Sequence, residues 1–296
     1  SEVYIKLGLL KKLKYFAEYI FLLLFFNFLK FLNIRTSSLL CGLLLWLFGK
    51  FSKKNLIAFK NINIAFPNIS NKKNWGIISK MWFNFGRVIG EYPHLEKLKI
   101  KNCKFIKMEG HKQCLETCNK NNNILFFSAH IGNWELTSHP MTQFGKKVWF
   151  IYRAPNNPYI DFLLGKIRRN YGVGLIKKGS EGAKKCINLL KQKNENIGML
   201  IDQKMNDGVE TQFFGKKAMT ASAIAKFSLK YKCPIIPAVC IRKKGVNFYI
   251  KYFPVINYSK IRSLGSEENI MNHLNQYVED WIKKNPEQWM WAHNRW

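Results

Sequence analysis

Short apolar runs that alternate with helical stretches constrain the fold of this chain more than any other feature. The runs are rich in β-branched and aromatic residues and lie at 124–129, 148–152, 174–176, 197–201, 235–239 and 246–253. Helical stretches separate most of them, at 135–144, 158–170, 181–191 and 221–231, and a last helix is predicted over 266–284. This alternation indicates an α/β fold with a mostly parallel central sheet flanked by helices.

The segment FSAHIGNWEL at 127–136 is the first candidate for a functional site. His130 directly follows an apolar run, and sites in open parallel sheets form at the carboxyl ends of strands. On one continuous helix, His130 and Glu135 would differ by about 140° around the axis and could not meet. Gly132 permits a turn, and Asn133 is a good N-cap for a following helix. Such a turn would let the carboxylate of Glu135 orient His130 and leave the other ring nitrogen free to take a proton from a hydroxyl.

Other interpretations of this segment stay open on the spacing alone. A surface histidine followed by an acidic residue at a helix start is the simpler explanation of the pattern. Other chemistries fit less well, because Ser128 lacks the Gly-x-Ser-x-Gly pattern and the chain contains neither HExxH nor a phosphate-binding P-loop. The seven cysteines follow no metal-ligand or disulfide spacing, so we predict free thiols and no metal site.

Two apolar segments near the amino terminus indicate contact with a membrane. The first, at 15–32, is eighteen residues long and is interrupted by Glu18, Asn27 and Lys30; the second lies at 39–48. At ~20 residues per span, the first is marginally long enough to cross a bilayer and the second is too short. We predict membrane-anchoring or interfacial helices over 1–50 and a catalytic domain over 51–296. A cleavable signal and a buried core helix are the alternatives, and basic flanks on both sides leave the orientation open.

The charge of the chain indicates an anionic partner. It has 48 Lys and Arg against 18 Asp and Glu, which gives a formal net charge of +30. Nucleic acid, anionic lipid and acidic proteins are the classes that such a charge attracts. The apolar amino-terminal segments and the absence of any recognisable nucleic-acid-binding pattern argue against nucleic acid. The sequence therefore favours an anionic membrane surface or an acidic protein.

Several further segments occur in an order that resembles one enzyme family. They are NINIAFPN at 61–68, NFGRVIGEY at 84–92, SAHIGNWE at 128–135, YRAPNNP at 152–158, IDQK at 201–204, FFGKKAMT at 213–220, PIIPAV at 234–239 and PEQWMWAHNRW at 286–296. Together they resemble the late acyltransferases of lipid A biosynthesis, the lauroyl and myristoyl transferases of Gram-negative bacteria, within the lysophospholipid acyltransferase-like superfamily. HIGNWE is similar to their His-x4-Asp/Glu motif. Mycobacterial mannoside acyltransferases resemble the same group.

The resemblance implies a reaction and a location. A fatty acyl chain would pass from a thioester, on acyl carrier protein or coenzyme A, to a hydroxyl of a lipid A precursor of the Kdo-lipid IVA type. His130 would be the general base and Glu135 its acidic partner, and direct transfer would need neither cofactor nor metal. The resemblance places the enzyme at the bacterial inner membrane with its catalytic domain facing the cytoplasm. An acyltransferase with another glycolipid or glycerolipid acceptor, and a non-enzymatic basic membrane-binding protein, are the alternatives.

Other residues of these segments are candidates for substrate contact. Arg153 would clamp a phosphate or steady the oxyanion, with an ordinary surface arginine as the alternative. Asp202 would bind the sugar or order Arg153, or cap a turn, and Gln203 follows it at the same strand end. Asn133 lies in the motif itself. Phe214 would line an acyl groove or press on the membrane, unless it is a core aromatic residue in a hairpin or turn. The tryptophan-rich segment at 289–296 suits a membrane interface or the core, and we favour the core.

Overall fold

A central sheet with helices on both faces forms the body of the protein. The computed structural model describes residues 2–100 and 104–296. The helices are α1 (Glu2–Phe31), α2 (Ile34–Gly49), α3 (Asn55–Ala65), α4 (Asn71–Glu91), α5 (His111–Lys120), α6 (His139–Gln143), α7 (Pro158–Asn170), α8 (Ser180–Leu190), α9 (Ala223–Tyr231), α10 (Tyr258–Leu264) and α11 (Glu267–Lys284). Short 3₁₀ helices span Tyr92–Leu98, Trp134–Leu136 and Pro286–Gln288.

The strands form one large sheet and one hairpin. They are β1 (Ile106–Glu109), β2 (Leu125–Ser128), β3 (Lys147–Tyr152), β4 (Gly174–Lys177), β5 (Glu195–Leu200), β6 (Lys204–Phe213), β7 (Lys216–Thr220), β8 (Ile235–Arg242) and β9 (Phe248–Tyr252). The sheet has seven strands in the order β1-β9-β8-β2-β5-β3-β4, and β6 pairs with β7. Only the β8–β9 pair of the large sheet is antiparallel. The predicted α/β fold with a mostly parallel sheet is confirmed.

The predicted strands are real because their residues suit a sheet that is covered on both faces. Every residue of β2 and of β8 is buried, as expected for the middle of a parallel sheet. The helix predicted over 135–144 is wrong in its extent. The chain forms a 3₁₀ turn and then the short α6, because Pro140 has no N–H to continue a helix that begins at Trp134, although it fits the first turn of α6.

The amino-terminal helices pack against the rest of the chain. Among the residues that the structure describes, no helix is both long enough and apolar enough to cross a membrane. Helix α2 lies tightly on α4 because two glycines of α4 leave room for it. A Cβ atom at Gly86 would lie 2.2 Å from the carbonyl oxygen of Cys41, and one at Gly90 would lie 2.4 Å from that of Ser37. Side chains of α1 and α2 also belong to a core cluster that includes residues of β2 and β8. The predicted boundary at residue 50 stays a prediction.

Candidate active site

The pairing of two neighbouring strands brings His130 and Asp202 together. Strands β2 and β5 are parallel, with Ser128 opposite Leu200. The amide of Ile201 continues this pairing by donating to the carbonyl oxygen of Ser128 at 3.1 Å. Two residues beyond the last strand pair, His130 and Asp202 therefore lie side by side at the carboxyl edge of the sheet. This is the edge where a site was expected.

The carboxylate of Asp202 holds His130 at two points. Its Oδ1 lies 2.9 Å from Nδ1 of the imidazole, and its Oδ2 accepts the backbone N–H of His130 at 2.9 Å. The indole Nε1 of Trp289 also donates to Oδ2, at 2.7 Å. Asp202 is fully buried, whereas 22% of the His130 side chain is exposed. The ring is thus anchored through Nδ1, which directs Nε2 away from the carboxylate.

The charges and hydrogen bonds around Asp202 keep its carboxyl group ionised. Burial by itself would raise the pKa of this carboxyl, but the attraction of His130 and its hydrogen bonds hold the pKa well below the usual range. A depressed pKa stabilises the fold at pH values above the ordinary pKa of ~3.9, and that contribution is lost as the pH falls through the depressed value. Burial lowers the pKa of the neighbouring His293, although Asp202 opposes this change.

Glu135 does not form the predicted pair with His130. Its carboxylate receives two hydrogen bonds from Arg168 of α7, one from Nε to Oε2 at 2.9 Å and one from Nη2 to Oε1 at 2.5 Å. The guanidinium also lies over the rings of Tyr92 and Tyr152, at 5.7 and 5.4 Å from their centroids. Burial opposes the charge of Arg168, but Glu135 raises its pKa above the ordinary value. The prediction that Glu135 orients His130 is therefore corrected: Asp202 is the carboxylate that contacts His130.

The turn between these residues follows the sequence prediction in its backbone and departs from it in one side chain. Gly132 has φ +61°, and a Cβ there would lie 1.9 Å from the carbonyl oxygen of Cys240, so only glycine fits. The side chain of Asn133 does not cap the following 3₁₀ helix. Its amide donates instead to Oε2 of Glu91 at 2.8 Å, and the residue is buried. Asn133 therefore links the turn to Glu91.

The other predicted substrate contacts lie at the same edge or near the hairpin. Arg153 follows β3, which pairs with β5, and is exposed on the rim as expected. Asp202 does not order Arg153, because its oxygens bond to His130 and Trp289. Gln203 is exposed beside Asp202. Substrate binding by these residues stays a prediction.

Phe214 lies in the turn of the β6–β7 hairpin. It has φ +51°, and its backbone N–H donates to Oε1 of Glu279 at 2.8 Å. Its ring contacts Phe66 and Phe213, with centroid distances of 5.9 and 5.0 Å. This half-buried aromatic packing accounts for its place in the fold, and its predicted role in an acyl groove is not tested by it.

Trp289 is the site residue that the sequence reasoning missed. The carboxyl-terminal segment adds an extended bridge to the site: Ile131 pairs with Trp289, and the amide of Met290 donates to the carbonyl oxygen of His130 at 3.1 Å. Trp289, Trp291 and Arg295 are fully buried, so the core interpretation of this segment is confirmed. A buried indole needs an acceptor, but nothing in the residue pattern indicates that Asp202 supplies it.

The side chains around His130 are suited to proton transfer, and the described residues contain no arrangement suited to a metal ion. Within 2–100 and 104–296, no group of three or more His, Cys, Asp or Glu side chains is arranged to hold a metal ion. The six cysteines in these ranges are buried and unbridged. An imidazole with one nitrogen fixed by a buried carboxylate is equipped to take a proton from a hydroxyl and to be stabilised as an imidazolium.

Comparison with known proteins agrees with this chemistry. The family model for bacterial lipid A biosynthesis acyltransferases matches residues 6–296. The chain is also similar to lipid A biosynthesis acyltransferase 2 of Shigella flexneri, with 25% identity over 256 residues that cover 82% of this chain and 78% of that protein. Because the match to the family model runs over nearly the whole length, the chain belongs to the bacterial lipid A biosynthesis acyltransferase family, and the protein is an acyltransferase.

Proposed function

We propose that the protein transfers a fatty acyl chain from acyl carrier protein to a hydroxyl group of a lipid A precursor of the Kdo-lipid IVA type. The contact between His130 and the buried Asp202 carries the proposal. It provides a base of fixed orientation at the sheet edge where Arg153 is also exposed. Membership of the lipid A family supports the class of acceptor.

The reaction needs one base and no covalent enzyme intermediate. Nε2 of His130 takes the proton of the acceptor hydroxyl while its oxygen attacks the thioester carbonyl. Formation of the new C–O bond gives a tetrahedral oxyanion, and we propose Arg153 as the residue that stabilises it. Collapse of this intermediate breaks the C–S bond, and the imidazolium returns its proton to the departing thiolate. Throughout, the carboxylate of Asp202 holds Nδ1 and stabilises the positive ring.

The acyl carrier protein is favoured as donor by charge. The formal net charge of +30 attracts an acidic partner, and carrier proteins of fatty acid synthesis are acidic. Coenzyme A also carries phosphates, so a purified assay that offers the same acyl chain on each carrier separates the two. We expect a higher kcat/KM with the carrier protein and a steeper loss of rate with added salt.

An apolar surface on the amino-terminal helices supports docking on an anionic membrane. Large side chains of α1 are exposed, among them Phe21 at 72% and Phe31 at 90%, and Phe51 after α2 is exposed at 76%. Other large apolar side chains that are exposed on these two helices include Leu24, Phe28, Leu43, Leu44, Trp46, Leu47 and Phe48. Lysines lie in the first half of α1 and directly after α2. We propose that these helices lie on the cytoplasmic face of the inner membrane, with apolar side chains in the acyl boundary and lysines near lipid phosphates.

Substitution of two exposed phenylalanines tests this surface. We expect the double variant Phe48→Asp/Phe51→Asp to bind vesicles of phosphatidylethanolamine and phosphatidylglycerol at least about tenfold more weakly than the wild type, because burial of one Phe is worth ~1.5–3 kcal/mol. Sedimentation with vesicles measures the partition. Phe144→Asp is the control, since Phe144 is also partly exposed but follows α6. Equal sedimentation of the double variant and the wild type would contradict the proposed surface.

Mass spectrometry of lipid A tests the acceptor. In cells that lack the protein, we expect lipid A to be missing one acyl chain, and expression of the wild type should restore it. Because the proposed transfer comes late in lipid A synthesis, we expect the precursor that lacks this acyl chain to accumulate. An unchanged lipid A profile, with an acyl ester lost from another glycolipid and restored by the wild type, would contradict the lipid A acceptor and favour the alternative.

A further inference from the structure

A buried ion pair lies directly beneath the turn that follows His130. Glu91 at the end of α4 is fully buried, and the side chain of Arg242 at the end of β8 is only 7% exposed. Nη2 of Arg242 donates to Oε2 of Glu91 at 2.9 Å, and Nη1 donates to Oε1. Neither residue contacts His130 or Asp202, so the reaction described above does not use this pair.

Glu91 is bonded to the turn directly, and Arg242 is connected to it through Asn84. Oε2 of Glu91 accepts the amide of Asn133 at 2.8 Å. Nε of Arg242 donates to Oδ1 of Asn84 at 2.8 Å, and the amide of Asn84 donates to the carbonyl oxygen of Gly132 at 3.1 Å. Two routes from the pair thus end on consecutive residues, two and three positions after His130.

The same pair is connected to α2, one of the two amino-terminal helices. The hydroxyl of Ser38 on α2 donates to Oε1 of Glu91 at 2.7 Å, and it accepts Nε of Arg87 at 2.9 Å. We call Ser38, Asn84, Glu91, Asn133 and Arg242 the turn-support cluster. It joins α2, α4, β8 and the turn after His130 into one buried network.

Stability alone is a weak reason for such a network. Well-packed apolar side chains of similar volume usually stabilise a core as well as a buried ion pair does. Hydrogen bonds, unlike apolar contacts, fix the orientation of the groups that they join. The bonds of this network therefore fix the orientation of the polar groups around the turn. A catalytic base needs that precision, because a displacement of about 1 Å can lower a rate ~10²-fold.

We propose that Glu91 and Arg242 are positioning residues, which fix the Gly132–Asn133 turn and thereby set the place of the His130 ring in the site. This inference rests on the proposed function only where turnover is measured. The position of the ring itself can be followed without turnover.

The experiment compares two matched substitutions of buried glutamates. Glu91→Gln removes the charge beneath the turn. Glu195→Gln removes the charge of a buried glutamate at the start of β5, far from the site, where it pairs with Lys147. The double variant Glu91→Leu/Arg242→Met removes the ion pair without leaving an unpaired charge. Unfolding midpoints establish that each variant is folded at the assay temperature.

Two measurements separate positioning from stability. We expect Glu91→Gln to lower kcat by about 10²-fold with KM within about threefold, and Glu195→Gln to leave both within about twofold. The double variant should fold stably and still have kcat lowered at least about tenfold. The rate at which diethyl pyrocarbonate modifies His130, followed by peptide mass spectrometry, should change by about threefold or more in the two Glu91 variants and stay constant in Glu195→Gln.

The possible outcomes are distinct. A folded double variant with the kcat and His130 reactivity of the wild type would overturn the inference. A wild type without acyl transfer would contradict the proposed function, and the reactivity of His130 would then decide the positioning role alone. If both Glu91 variants fail to fold, Ser38→Ala removes one hydrogen bond to Glu91. We expect it to lower kcat or shift His130 reactivity about threefold, and no change in either would overturn the inference.

Discussion

Replacement of His130 by alanine is expected to lower kcat for acyl transfer by about 10³-fold, with little change in KM. General base catalysis contributes typically 10²–10⁴-fold, and in the proposed mechanism His130 both removes the hydroxyl proton and returns a proton to the thiolate. The side chain is mostly buried beside Asp202, so its removal deletes the base while the rest of the site remains. Transfer of a radiolabelled acyl chain to the purified acceptor measures the rate.

A second histidine variant is the control for this prediction. His273 lies on α11, where it contacts Tyr277, and it belongs to no part of the site. His273→Gln should retain kcat within about twofold. If His130→Ala retains more than about a tenth of the wild-type rate, His130 is not the base and the proposed mechanism fails.

Asp202→Asn is expected to lower kcat by about 10⁴-fold, and by much more than Glu135→Gln does. The amide cannot supply two acceptor oxygens to Nδ1 and the backbone N–H of His130 and to the indole of Trp289. The imidazole is then no longer held in the tautomer that the reaction needs, and its positive form is no longer stabilised. The same happens when a triad aspartate is changed to asparagine. Glu135 contacts Arg168, so its loss should act through that arginine and lower kcat by about 10²-fold or less.

The same transfer assay ranks the two carboxylates. Unfolding midpoints are needed beside it, because Glu135→Gln leaves Arg168 without its partner and should destabilise the fold. A Glu135→Gln variant that is slower than Asp202→Asn would contradict the assignment. It would show that the glutamate of the His-x4-Glu motif takes a direct part in the reaction.

Local patterns in the sequence predicted much of the fold. The six apolar runs became strands because β-branched and aromatic residues suit a sheet covered on both faces. Strands β6 and β7 were not among the predicted strands, and a hairpin at Phe214 was only one alternative, since their polar residues resemble those of a loop and their pairing is visible only once both strands are in place. The helix over 135–144 failed at Pro140, whose missing N–H outweighed the helical pattern.

The site was predicted in its position and not in its contacts. The edge of the sheet, His130 and the glycine turn all followed from spacing, and Asp202 was placed at a strand end. The predicted partner of His130 was wrong, because the sequence does not reveal that β5 lies beside β2. This pairing brings together His130 and Asp202, which are 72 residues apart along the chain. Glu135 was close to His130 in sequence, but Arg168 of α7 competes for its carboxylate with a two-point contact that spacing cannot show.

The adjacency of β2 and β5 has a consequence for how the enzyme becomes active. The hydrogen bonds that pair β2 with β5 lead directly to the histidine and the aspartate at the ends of these strands. In the proposed mechanism, catalytic assembly is therefore a step of folding and not of substrate binding: once the centre of the sheet has formed, His130 already has its partner. Such a pair needs no closing movement to become competent, so the binding energy of a long lipid acceptor remains available for orienting the hydroxyl that reacts.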